Sequence, residues 1–166
     1  MSVHVALPPL VAYSDHERQK WREWIAADPA RMRLPFQTGA RFADVAALLD
    51  HVFLIERRHL CRLQGATPPS STGVPSSDWM ALFEYGDLVR ADFRAYVDGL
   101  DEATAGQTMV ITGLQSSPDV VMTRRRLVTH ILLHEIRHLA QLAYAARLAG
   151  LQPPGEHDLF YFDGLS

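Results

Sequence analysis

The sequence contains a single cysteine, Cys61, among 166 residues. One thiol excludes an intrachain disulfide and an all-cysteine zinc cluster, so we expect Cys61 to be a small core residue in the reducing cytoplasm. No stretch reaches the roughly 18 apolar residues of a membrane span, and residues 1–9 lack the basic and then apolar pattern of a signal peptide. The sequence therefore predicts neither secretion nor insertion into a membrane.

An excess of positive charge is missing as well, because the formal net charge is −3 and 48% of the residues are hydrophobic. This balance is ordinary for a globular enzyme and argues against nucleic acid as a partner. A chain of this length buries about two thirds of its unfolded surface in one core. Since no internal repeat is visible, residues 1–166 are predicted to form a single domain.

Strict alternation of apolar and polar residues, which is typical of strands, is scarce. In most of the chain the apolar residues recur at helical spacing instead. We predict four helices, which span approximately Pro9–Ala27, Gly39–Leu63, Trp79–Leu100 and Ser117–Gly150. Residues 66–77 hold prolines and small polar residues and are predicted to be a loop. The predicted fold class is therefore all-α, a four-helix bundle.

Local signals refine the ends of these segments. Ser14 and Glu17 match a capping box, which gives an alternative start for the first helix. The last helix is predicted to begin at Ser117, with Pro118 and Asp119 in its first turn. Residues 108–112 are rich in β-branched side chains and too few for a helix, so they are predicted to form a short extended segment that is not enough for a sheet.

His134 and His138 carry the strongest chemical signal in the sequence. Positions i and i+4 of an α-helix lie about 6 Å apart along the axis and about 40° apart around it, so two such imidazoles can share one ion. Both fall on the apolar stripe of Leu127, Ile131 and Ala145, where a buried polar pair needs a partner. A divalent metal satisfies both rings and leaves positions for another protein ligand and for water or substrate.

A third ligand has to come from another helix. His51 is favoured because it lies beside apolar residues on the expected inner side of the second helix, and His59 is the alternative. His130 extends the histidine series of the last helix, but about 12 Å of helix rise separates it from His138, so these two cannot bind the same ion. The other histidines are expected at the surface: His4, His16 and His157.

These features together resemble the DinB/YfiT-like superfamily of metalloenzymes. The resemblance covers nearly the whole chain and depends on Tyr13 and Trp21, on the sequence LLDHVFLIERRHL around His51, and on THILLHEIRHLAQLAYAARLAG from Thr129 to Gly150. It implies a four-helix bundle that often forms a homodimer. The divalent ion that it implies, usually zinc or nickel, would be bound by His51, His134 and His138.

The resemblance also implies a class of reaction. Characterised relatives are mainly metal-dependent transferases or isomerases that use a low-molecular-weight thiol such as bacillithiol or mycothiol. A transferase that acts on small electrophiles is therefore expected, with Glu135, Gln141 and Arg58 as candidates to assist catalysis. Many members have Arg-Gly-Gln after the last ligand, whereas this chain has Leu139-Ala140-Gln141, so only the glutamine keeps the pattern.

Three alternative functions are compatible with the same residues. The run that begins at His134 fits the H-E-x-x-H pattern of zinc hydrolases, in which the glutamate is the general base. The E-x-x-H pairs that begin at Glu56 and Glu135 suggest a di-iron carboxylate bundle; Glu17 fits the further carboxylate it requires, but Glu84 lies off the expected seam. The third alternative is a non-enzymatic, metal-stabilised dimeric bundle with a closed four-ligand site.

Overall fold

The computed structural model describes residues 6–36, 41–112, 118–157 and 159–165. In chain order the elements are α1 (Leu7–Ala27), α2 (Val45–Gln64), α3 (Trp79–Asp98), the short helix α4 (Glu102–Gly106), the strands β1 (Thr108–Ile111) and β2 (Val120–Thr123), and α5 (Arg124–Leu148). Three 3-10 helices lie at Pro29–Arg33, Leu159–Tyr161 and Asp163–Leu165. Within the described ranges the fold is a bundle of four long helices, so the predicted all-α class is confirmed.

Side-chain caps determine where three of the long helices begin. Asp44 caps α2, Asp78 caps α3 and Thr123 caps α5, and each side chain accepts a hydrogen bond from a backbone N–H of the first turn. Such caps satisfy donors that the start of a helix leaves unpaired. At the other end of α2, Gly65 has a φ of 73°, a left-handed conformation that glycine adopts without strain.

Two predicted helix starts are wrong. Residues 39 and 40 lie outside the described residues, and residues 41–43 are not helical, so α2 begins only at Val45. The last helix begins at Arg124, and Pro118 and Asp119 are not helical, while Ser117 lies outside the described residues. The physical reason is that residues 120–123, three of which are β-branched, form a strand instead.

The extended segment before the last helix is confirmed, but the prediction that it forms no sheet is wrong. β1 pairs antiparallel with β2, with Thr108 opposite Thr123 and Ile111 opposite Val120. The capping-box start of α1 is also excluded, because α1 begins at Leu7 with prolines in its first turn. Both Ser14 and Glu17 are buried within that helix.

The long helices surround two apolar clusters. α1 packs against α3 and α5, and α2 packs against the same two helices, which closes a ring of four neighbours. One cluster includes Trp21, Phe53 and Phe83, and the other includes Phe93 and Leu127. None of the described helices is both long and apolar enough to cross a membrane.

A layer of buried charge lies between the two clusters. Each long helix contributes residues to both clusters and, between them, one buried charged residue to this layer: Arg18, Glu56, Arg90 and Glu135. Cys61 is a free thiol buried in the core, as predicted.

Candidate metal centre

His51 of α2 and His134 and His138 of α5 converge where the two helices pack together. One ring nitrogen from each lies within 4.8 Å of the other two, so the three residues can hold a metal ion. The ring centroids are 5.2 Å apart for His51 and His134, 5.1 Å for His51 and His138, and 4.4 Å for His134 and His138. The helical spacing that predicted the pair on α5 thus gives the expected proximity.

Hydrogen bonding orients the ring of His138. Its Nδ1 lies 2.7 Å from Gln141 Oε1, one turn further along α5. Because an amide oxygen only accepts, Nδ1 carries the proton and Nε2 keeps its lone pair. That Nε2 lies 3.1 Å from Nε2 of His134. Gln141 therefore selects the tautomer of His138 that has its free lone pair on Nε2, the nitrogen nearest to His134.

The three imidazoles are in their neutral form. Burial, followed by the charge of Arg41, lowers the pKa of His51 to about 4. Burial, followed by the proximity of His138, lowers the pKa of His134 to about 2, and burial also lowers the pKa of His138. Neutral imidazole is the form that binds metal, so the environment prepares all three rings as ligands.

This donor set fits a divalent transition metal. Nε2 of His51 is buried and has no hydrogen-bond partner among the described residues. An unsatisfied buried ring nitrogen is costly, and a metal ion would supply the missing partner. Three imidazoles with further positions left open are a donor set suited to zinc or nickel.

Phe42 packs against two of the histidines and also lines a cavity beside them. The Phe42 ring centroid is 4.9 Å from that of His51 and 5.5 Å from that of His138. A cavity of about 500 Å³ is lined by Phe42, His138 and Gln141, together with Arg137 and Tyr144. A small molecule in this cavity can thus reach His138, with the Phe42 ring as part of the cavity wall.

His59 and His130 lie outside the ligand group. Their ring centroids are 5.3 Å apart, and His130 is 5.7 Å from His134 by the same measure. His59 is buried, while His130 is exposed. Among the described residues, the structure thus brings His51 rather than His59 together with the pair on α5.

Glu135 points away from the histidines, into the buried charge layer. Arg18 Nε donates to its Oε1 at 2.7 Å, Ser14 Oγ donates to its Oε2 at 2.5 Å, and Arg90 also pairs with it. Burial by itself would raise the pKa of Glu135, but the charges of Arg18 and Arg90 lower it to about 2. A carboxylate held in this way is not suited to be the general base of a zinc hydrolase.

The same layer opposes a di-iron centre. Glu56, the second carboxylate of the layer, pairs with Arg18 Nη2 at 2.5 Å and with Arg90 Nε at 2.9 Å. Two guanidinium groups thus take the places next to the carboxylates that two irons would need. The other carboxylates considered are elsewhere: Glu17 pairs with His157, and Glu84 is exposed.

Some histidines and arginines lie in environments that the sequence did not predict. His157 is not a plain surface residue, because it stacks on Trp21 with ring centroids 5.3 Å apart and contacts Glu17 at 2.6 Å. His16 is exposed as predicted, and His4 lies outside the described residues. The burial of Arg18 and Arg90 had no signal in the sequence, since charged residues are usually exposed.

Comparison with known proteins gives one clear result. The curated proteins contain no match to this sequence. A sequence model described as the DinB family matches residues 1–164, which includes all four long helices and the three histidines. The chain therefore belongs to the DinB family.

Proposed function

We propose that this DinB family protein is a metal-dependent transferase in which His51, His134 and His138 bind one zinc or nickel ion. The observation that carries the proposal is the convergence of the three imidazoles, with one nitrogen from each within 4.8 Å of the others. Three protein ligands leave coordination positions open, as in catalytic rather than structural sites. The cavity beside His138 has room for a small molecule.

A divalent ion held by His51, His134 and His138 would supply Lewis acidity, which would make a thiol or water easier to deprotonate near neutral pH. The chain's own residues prepare the site. Gln141 orients His138, and the Phe42 ring covers the edge of the His51–His138 pair. The buried charge layer fixes α5 against α1, α2 and α3 through Glu135 and Glu56, so that the two histidines of α5 face α2.

We further propose that the reactive sulfur belongs to a low-molecular-weight thiol cosubstrate. Cys61 is the only cysteine of the chain, and it is 5% exposed. A thiol buried in the core cannot reach an external electrophile, so the nucleophile has to come from outside. In the proposed reaction a sulfur–carbon bond forms to a small electrophile, the leaving group departs with its electron pair, and the thiol proton passes to solvent.

The direct test is thiol consumption by purified protein of measured metal content, with 1-chloro-2,4-dinitrobenzene as the electrophile and bacillithiol, mycothiol or glutathione as the thiol. Thioether formation is followed by absorbance. We expect turnover that requires both metal and His134, so that His134→Ala is inactive while Cys61→Ser retains activity. Metal-loaded protein that neither binds thiols nor consumes electrophiles in their presence would contradict the proposal.

A non-enzymatic, metal-stabilised bundle is supported less well. A structural zinc site is closed by four protein ligands. The group found among the described residues has three histidines, and one of them lines a cavity. The homodimer and the cytoplasmic location stay predictions from the sequence.

A further inference from the structure

A second and larger cavity lies along α2 on the same face as His51. It has a volume of about 880 Å³, and its lining includes Ile55, Arg58, His59 and Arg62 of that helix. In an α-helix, residues three and four positions apart share a face, so this series continues directly from His51. The wall of the cavity is therefore an extension of the helix face that presents the metal ligand.

Two further contacts join this cavity to the metal centre. Arg41 lines both this cavity and the one beside His138. On the other side, the ring of His59 contacts the ring of His130, which in turn lies 5.7 Å from that of His134. The larger cavity is thus connected to the surroundings of the three histidines through Arg41 on one side and through His59 and His130 on the other.

Positive charge dominates the lining of the larger cavity. Among the described residues this lining includes three arginines, Arg41, Arg58 and Arg62, and no aspartate or glutamate. In the part of the chain that the structure describes, none of these three makes an ion pair. Arg57, the neighbour of Arg58 on α2, is by contrast turned to α3 and pairs with Asp92 at 2.8 Å.

Two of the arginines are held in place before any ligand binds. Arg58 donates from Nε to the carbonyl oxygen of Pro69 at 2.8 Å and from Nη2 to that of Ser70 at 2.6 Å. These bonds use two of its five N–H groups, so the others remain available for an oxyanion. Arg62 contacts Nδ1 of His59 across 3.4 Å. Burial, followed by the charge of Arg58, lowers the pKa of Arg62, as expected for neighbouring cations that lack a counter-ion.

We propose that this cavity binds an oxyanion of the substrate, so that the electrophile belongs to the class of small molecules with a carboxylate or phosphate group. The proposal rests on the proposed transferase function and names its substrate class. Guanidinium groups bind both carboxylates and phosphates through paired N–H donors. With the anionic end on Arg58 and Arg62, the rest of a small molecule extends along Ile55 toward His51. Arg41 is available at the junction of the two cavities.

The test is calorimetric titration of the full-length chain, as purified and with measured metal content, with succinate, inorganic phosphate and the neutral analogue succinamide. We expect one of the two anions to bind and succinamide not to bind. Tighter binding of succinate indicates a carboxylate substrate, and tighter binding of phosphate a phosphorylated one. Arg62→Gln and Arg41→Gln should each weaken the binding of that anion about tenfold, the effect of losing one charge-assisted contact.

Arg57→Gln is the matched control, because this arginine is on the same helix but outside the cavity, and it should leave binding within about twofold. The proposal is overturned if neither anion binds, or if Arg62→Gln and Arg41→Gln bind it as wild type does. The variant His51→Ala distinguishes the proposed anion site from the proposed transferase function. If His51→Ala lacks metal and activity but still binds the anion, the anion site does not depend on the metal. If wild type binds the anion but shows no thiol-dependent turnover, the transferase function alone is contradicted.

Discussion

Gln141 and His138 form a hydrogen bond of 2.7 Å between Oε1 and Nδ1. This bond leaves Nε2 of His138 unprotonated, and that atom lies 3.1 Å from Nε2 of His134. The departure from the Arg-Gly-Gln pattern thus preserves the one residue of the three that contacts His138. In the proposed metal centre Gln141 is a positioning residue, since it would act on the metal through the tautomer of His138.

Replacement of this glutamine should weaken metal binding without unfolding the protein. We expect Gln141→Ala to lower zinc affinity roughly 10- to 100-fold, the usual effect of removing a group that orients a histidine ligand. A competition titration against a zinc chelator measures the change. Gln19→Ala is the control, because Gln19 is an exposed glutamine on α1 that pairs with Glu23. Equal zinc affinities of the two variants would remove the positioning role.

Glu135→Gln should destabilise the fold rather than abolish a proton-transfer step. The substitution leaves Arg18 and Arg90 with one carboxylate in a buried layer, and removal of one partner of a buried ion pair costs roughly 3 kcal/mol or more. Urea unfolding measures the loss. Glu102→Gln breaks the exposed pair with Arg125 and should have no measurable effect. Full stability of Glu135→Gln with loss of activity would instead favour the hydrolase alternative.

The buried imidazole of His59 should make the fold sensitive to acid. Burial, followed by the charges of Arg62, His130 and Arg58, lowers the pKa of His59 from 6.5 to about 3. The unfolded chain therefore takes up this proton at a higher pH than the folded chain does. The stabilising contribution is complete above pH 6.5 and is lost as the pH falls through the range toward 3.

Replacement of His59 by glutamine should flatten this dependence. Between pH 6.5 and 4 we expect the free energy of unfolding to fall less steeply in His59→Gln than in wild type, by up to about 1.4 kcal/mol per pH unit. Urea unfolding at several pH values gives both slopes. The exposed His16 of α1 provides the control variant, His16→Gln, which should follow wild type. Parallel curves for wild type and His59→Gln would show that His59 does not contribute.

The cluster of three histidines could be predicted from the sequence because its main evidence is local. The spacing of His134 and His138 determines their shared helix face, and the apolar neighbours of His51 indicated which turn of α2 faces inward. Glu135 shows the limit of pattern matching. The residue that follows His134 in the helix is rotated by about 100° around the axis, and that rotation directs the carboxylate of Glu135 to the core instead of to the other histidines.

Other features depend on partners that are distant in the sequence. Arg18 is 117 residues from Glu135 and 38 from Glu56, so nothing near it in the chain indicates that it is buried. The predicted start of the last helix is wrong for a similar reason. Pro118 and Asp119 are good helix-starting residues, but the hydrogen bonds of β2 to β1 decide the conformation of the residues that follow.

Metal content per chain tests the central claim most directly. Elemental analysis of untagged protein should compare wild type with His51→Ala, His134→Ala and His59→Ala. The three-histidine centre predicts about one equivalent of zinc or nickel in wild type, which is lost without His51 or His134 and retained without His59. Two equivalents of iron, loss of metal in His59→Ala, or a wild-type protein that stays metal-free after reconstitution would contradict it.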